Sequence, residues 1–322
     1  MRTHTNRTSG HETLSMDELH RGSWISAVAP TRQELEDIAR LAAVPPDFLA
    51  AATDVEESSR IDFEEADESD GRAASMLMVI NIPRHSEGFD FDTLPLGIVV
   101  TDDVFITVCL EENDILPGPK NGFGNFFTWK RTRFLLQILY RTADVYLRCI
   151  NEMNRRSDRI EAALRRSMKN EELFRLMDLE KGMTFFTGAL RSNRVAIDRL
   201  TRMLKNAQFQ ELVKMRDEDQ DLLADVIVEY DQAYDMVRVY SEVLSSMMDT
   251  FASIISNNLN IVMKFLASMT IILSIPTLIA SFWGMNVGVP LTEVRYAFAL
   301  IMGLALALSG VAAWWLWKKR MF

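Results

Sequence analysis

Two uncharged apolar runs follow one another near the C-terminus: Phe265 to Trp283, 19 residues, and Tyr296 to Trp317, 22 residues. A helix that crosses a bilayer needs roughly 20 such residues. Each run predicts a membrane-spanning α-helix, because in lipid the backbone must satisfy its own hydrogen bonds. The competing reading, two buried core helices, is weaker because core helices rarely lack a charged or polar face. The linker Gly284 to Arg295 is short and holds one acid and one base. Lys264 precedes the first run, and Lys318, Lys319 and Arg320 follow the second as a basic collar. Positive charge stays on the cytoplasmic side. Both termini are therefore expected in the cytoplasm, with the linker outside the cell (inner) membrane. Tyr296 and the cluster Trp314, Trp315 and Trp317 suit the interfacial belt, where membrane lipids are partners.

The net charge of −10 argues against nucleic acid, which wants a basic surface, and is compatible with cations as partners. The two cysteines, Cys109 and Cys149, form neither a C-x-x-C pair nor a disulfide framework, which fits a reducing compartment. Residues 1–20 are polar and lack an apolar leader core, so they are expected to be disordered rather than a signal peptide. No nucleophile–base constellation, phosphate loop or H-E-x-x-H helix is visible, so neither an enzyme nor an organic cofactor is expected.

Residues 21–127 read as a cytoplasmic α/β domain. Ser23 to Val28 predicts a strand, and Thr31-x-x-Glu34 a capping box opening a helix. Pro45-Pro46-Asp47 starts a second helix, and Ser75 to Ile82 is a strand-length apolar run. Leu96 to Val100 and Val104 to Val108 form a hairpin around Thr101-Asp102-Asp103. The acid-rich stretch Glu56 to Asp70 reads as a surface loop, and Gly118 to Asn125 as a linker. Residues 128–264 carry few helix breakers and predict three or four helices, the last a stalk. The expected order is completed by a first span over 265–283, an outer loop over 284–295, a second span over 296–317 and a basic tail over 318–322. The fold class is that of an α+β membrane protein: N-terminal cytoplasmic α/β domain, long helical stalk, two C-terminal transmembrane helices.

Between Asp221 and Ser281 two stripes run at helical spacing. One is apolar: Val226, Tyr230, Ala233, Val237, Tyr240, Leu244, Met247, Phe251, Ile254 and Ile261, interrupted by Asn258. The other carries Asp221, Asp225, Asp235, Glu242, Ser246, Asp249, Ser253, Ser256 and Asn260. It continues through Met263, Ala267, Thr270, Ser274, Thr277 and Ser281. At about 100° per residue the second stripe lies nearly opposite the first. A single unbroken helix of roughly 60 residues, about 90 Å long, is therefore expected. Small polar residues within a span serve either as glue between packed helices or as the lining of a pore. Continuity of the stripe across both halves favours the pore, with several copies around one axis. From Glu211 to Asp249 eleven acids face three bases. Acids brought together by assembly need cations or protons, and hard oxygen ligands suit Mg²⁺ or Ca²⁺.

After the first span comes Trp283-Gly284-Met285-Asn286. A Gly-Met-Asn triplet in this place resembles the CorA family of divalent cation channels. Ser256-Asn257-Asn258-Leu259-Asn260, Met263-Lys264, Pro276-Thr277-Leu278-Ile279-Ala280 and Lys318-Lys319-Arg320 are similar to that family's membrane entry, first span and basic collar. The resemblance implies a homopentamer whose first span lines the pore and whose Gly284, Met285 and Asn286 form the outer mouth. It implies pore positions at Asn260, Met263, Thr270, Ser274 and Thr277, with Mg²⁺ as both transported and regulatory ion. Asp225 and Asp249 match cytoplasmic acids that bind regulatory metal between subunits, with Asp90 or Asp92 of a neighbouring α/β domain as the expected partner. The chain departs from the pattern at Trp283, where tyrosine is common, and at Ser274, where methionine can occur. It also lacks the acid that usually follows Pro290 directly. A Zn²⁺ transporter of the same family and a two-span sensor without ion flux are the competing expectations.

Overall fold

The computed structural model describes residues 2–7, 10–14, 21–66, 73–85, 91–117, 126–167, 170–288 and 295–319. The chain forms two compact units, residues 1–245 and 246–322.

The first unit is built on strands β1 (Arg2–Arg7), β2 (Gly10–Leu14), β3 (Ser23–Val28), β4 (Arg60–Glu64), β5 (Ser75–His85), β6 (Phe91–Thr101) and β7 (Val104–Cys109). They make one sheet in the order β2-β1-β3-β7-β6-β5-β4. β3 and β7 are parallel, and the other neighbours are antiparallel. All six residues of β7 are buried, as a strand covered on both faces requires.

On one face lie α1 (Arg32–Ala42) and α2 (Pro46–Ala50), followed by a 3₁₀ turn, Ala51–Thr53. The capping box forms as expected: Glu34 N donates to Thr31 Oγ1 at 3.3 Å, and Thr31 N donates to Glu34 Oε2 at 2.8 Å. Ile38, Leu49 and Ala52 pack there with Ile25, Leu77, Val79, Val99 and Ile106. Alternation sends Trp24 and Phe105 to the opposite face. There they meet Phe134 of α3 (Arg131–Ser167) at ring distances of 5.3 and 4.6 Å. α4 (Asn170–Met203) packs on the same sheet, with Phe186 against Phe91 at 6.1 Å and Tyr146 at 5.1 Å. α5 (Ala207–Leu212) and α6 (Asp217–Trp283) follow, and α7 (Ala297–Lys318) closes the chain.

Three expectations are corrected. Residues 2–7 and 10–14 are strands rather than disordered, and they extend the sheet through Arg2↔Ser26, Thr3↔Ile25 and His4↔Trp24. The acid-rich loop contains the edge strand β4, whose Ile61 is fully buried. β6 begins at Phe91, not Leu96, despite Pro95. Asn81, opposite Pro95, turns its amide and carbonyl away from β6, so that pair shares no ladder bond. The missing amide of Pro95 then points past Cys109, where β7 has ended. The linker expected over 118–125 lies outside the described residues.

Candidate functional site

α6 is one helix of 67 residues. Within the first unit its apolar seam is buried: Val226, Tyr230, Ala233, Val237 and Leu244 are at most 1% exposed. Asp221, Asp225, Asp235 and Glu242 are exposed. None of these four acids has an ion-pair partner among the described residues.

Near the sheet, β6 and α4 bring two carboxylates to one cavity of about 330 Å³. Asp92 and Asp178 line it with Arg84, Phe91, Lys181 and Phe185. Gly182 makes this possible, because a Cβ there would sit 2.8 Å from Phe91 Cβ and 3.2 Å from Phe91 O. α4 therefore crosses the start of β6 at the residue before Asp92. Asp92 Oδ1 accepts the Thr93 amide at 2.8 Å. Arg84 is engaged by Glu111 at 2.7 Å. Asp178 was not expected from the sequence. Its signal was its place one turn before a glycine in an otherwise breaker-poor helix. Asp90 lies outside the described residues.

In the second unit Asp249, Ser253, Ser256, Asn260, Met263, Ala267, Thr270, Thr277 and Ser281 are exposed and Ser274 is half-buried. The opposite side of α6 meets α7. Ser268 is fully buried, and Ala297, Ala305, Ser309 and Leu316 of α7 are at most 9% exposed. Small residues at such a seam let two backbones approach closely. The polar stripe is thus on the side that α7 leaves open. The rest of both helices is apolar and bare, with Leu266, Leu273, Leu278, Leu304 and Leu306 between 50 and 64% exposed. Two helices long and apolar enough to cross a membrane, with their apolar side chains outward, suit lipid. After Trp283 the Gly284 amide donates to Ala280 O at 2.9 Å, and Met285 and Asn286 are exposed beyond it. Lys318 and Lys319 close α7, their ammonium groups 5.4 and 5.8 Å from the rings of Trp314 and Trp315. Arg320 lies outside the described residues.

A family model described as CorA-like Mg²⁺ transporter protein matches residues 20–320. The chain belongs to the CorA family. It is therefore a divalent cation transporter of the membrane and not an enzyme. It is 25% identical over 297 residues to the cobalt/magnesium transport protein CorA of Methanocaldococcus jannaschii, covering 89% of this chain and 87% of that one. The complete structure of the CorA magnesium transporter from the same organism matches with a TM-score of 0.76 at 21% identity, over 97% of this chain and 96% of that one. The full-length CmaX protein matches with a TM-score of 0.69 at 14% identity, over 100% and 98%. The last two likenesses speak for the fold: sheet domain, long helix, two apolar helices.

Proposed function

We propose that this CorA chain is one subunit of a homopentameric channel that admits hydrated Mg²⁺ to the cytoplasm, with Co²⁺ and Ni²⁺ as weaker candidates. The observation that carries this reading is the open polar edge of α6, which from Ala267 to Ser281 runs opposite its α7 seam and continues back along the exposed helix to Asp249. Hydroxyls and carboxamides facing lipid are unfavourable, so this edge should face the same edge of other copies across water. Asn260, Met263, Thr270, Ser274 and Thr277 then line the path, and Gly284, Met285 and Asn286 form its outer mouth. A ring of neutral Asn286 carbonyls suits an ion that gives up water reluctantly, because it holds without trapping. The membrane potential supplies about 2.3 kcal/mol per charge per 100 mV, doubled for a divalent ion.

Both termini then lie in the cytoplasm at an inner membrane, a reading supported by the basic residues Lys264, Lys318, Lys319 and Arg320, which suit lipid headgroups on that side. On the cytoplasmic side, Asp225 and Asp249 of one copy approach acids of the next. Asp92, which lines one cavity with Asp178, is the partner this reading takes. Hard cations take six or more oxygens, so carboxylates from two copies and water complete the set. Cytoplasmic Mg²⁺ bound there stabilises the closed assembly, and its loss lets like charges separate the subunits.

Purified protein in liposomes tests this. The wild type is expected to take up Mg²⁺ faster than Zn²⁺, and Asn286→Ala to abolish uptake while the oligomer persists. Zn²⁺ uptake exceeding that of Mg²⁺ would move the chain to zinc transport. No flux of either ion would leave the sensor reading.

A further inference from the structure

The cavity that holds Asp92 and Asp178 also holds two bases, Arg84 and Lys181, yet neither acid forms an ion pair among the described residues. Arg84 stands directly opposite Asp92 in the β5–β6 ladder, but its guanidinium is turned to Glu111. Its Nη2 lies 2.7 Å from Glu111 Oε1, and its Nε donates to Glu111 Oε2 at 3.0 Å. Two bonds to one carboxylate hold a guanidinium in place. Lys181 is not held in this way. Its ammonium lies 5.6 Å from the centre of the partly exposed Phe185 ring and forms no ion pair among the described residues. A ring contact at such a site is weak. Asp178 is three residues earlier on α4, a neighbouring position on one helix face. The flexible four-carbon stem of lysine spans that interval.

We propose that Lys181 is a tethered cation that competes with Mg²⁺ for Asp92 and Asp178, and so sets the cytoplasmic Mg²⁺ concentration at which the closed assembly forms. This rests on the reading that these acids bind regulatory metal. When the metal leaves, the ammonium moves from the Phe185 ring to the carboxylates and offsets part of their charge. Arriving Mg²⁺ displaces it, and it returns to the ring. The two cations differ in what they hold together. A divalent ion takes six or more oxygens and draws carboxylates of two copies into one shell. An ammonium has a single charge and three hydrogens, and it belongs to one copy. Lysine therefore relieves repulsion without closing the assembly. Arg84 does not take this part while Glu111 holds it.

Mg²⁺ titrations of protease protection on the full chain in detergent test the competition. Lys181→Met keeps a stem beside the ring and removes the charge, and half-protection is expected at about tenfold lower Mg²⁺. Lys181→Arg keeps the charge and is expected not to lower the midpoint. Phe185→Leu removes the ring that holds the ammonium aside, and the midpoint is expected to rise about threefold. A lysine with a purely structural role would not produce shifts of opposite sign in these two variants. A midpoint in Lys181→Met at or above that of the wild type would overturn the proposal, as would a fall in Phe185→Leu. Asp92→Asn with Asp178→Asn checks the underlying reading. If that variant loses protection while Lys181→Met keeps the wild-type midpoint, only the competition falls. If it keeps protection, these acids are not the metal site and the proposal falls with them.

Discussion

The hydroxyl of Ser309 on α7 lies 3.5 Å from the carbonyl oxygen of Ile272 on α6. Ile272 is four residues before Pro276, which has no amide hydrogen to give it. The second span thus offers a donor, at the long end of hydrogen-bond range, to the acceptor that proline strands in the first.

Ser309→Ala should therefore destabilise the folded protein by about 0.5–1.5 kcal/mol, read as resistance to denaturant in detergent. In a Pro276→Ala background the Ile272 carbonyl regains a helix amide, and the same change should cost little. Equal losses in both backgrounds would show the two residues to be uncoupled.

Asn193 does similar work in the sheet domain. Its Oδ1 accepts from Asn81 N at 2.8 Å, and its Nδ2 donates to Asn81 O at 2.7 Å. Its carboxamide replaces the strand partner that β4, starting at Arg60, does not supply. Asn193→Ala leaves the Asn81 amide with only the longer contact to Ser59 Oγ, at 3.3 Å, and takes the acceptor of the Ser59 hydroxyl, while Tyr146 Oη, at 2.8 Å, still serves the carbonyl. A destabilisation of about 2–3 kcal/mol is expected in chemical unfolding.

Gly182→Ala forces a methyl group to within 2.8 Å of Phe91 Cβ and should push α4 off the start of β6, costing about 1–3 kcal/mol. Because Asp92 and Asp178 flank that crossing, Mg²⁺-dependent protection from protease should weaken in this variant, as in Asp92→Asn with Asp178→Asn. Protection unchanged in the double variant would remove these acids from the regulatory site.

Burial pushes the Cys109 thiol up to about 12 and the Cys149 thiol up to about 11, from an ordinary value of 9.0. At a given pH the Cys109 thiolate is about a thousandfold scarcer than in an exposed cysteine. Both thiols should react slowly with disulfide reagents near pH 8 until the chain unfolds. These folded-state values lie above the unfolded one, so their contribution to stability is complete below about pH 9 and is lost as pH rises toward 12. The unfolding midpoint should fall over that window.

What could be read from the residues follows from locality. The capping box at Thr31, the hairpin at Thr101 to Val104 and the two stripes of α6 are patterns within a few turns of chain. β4 escaped notice because only Ile61 and Phe63 are apolar in an acidic stretch, and an edge strand needs little more. β1 and β2 are polar and exist through backbone pairing, β2 with β1 and β1 with β3, which leaves no periodic signal. The Asp92–Asp178 cavity depends on a crossing between residues far apart in sequence, and only Gly182 marked it.

The central claim is that the polar edge of α6 meets water in the assembled protein. Single cysteines at Thr270, Ser274 and Thr277, compared with Phe265, Met269 and Phe282, test it with a membrane-impermeant thiol reagent on reconstituted protein, the native thiols staying nearly silent. Labelling at the first three and protection of the second three is the expected pattern. Labelling that ignores this periodicity, or that favours Phe265 and Met269, would contradict the account.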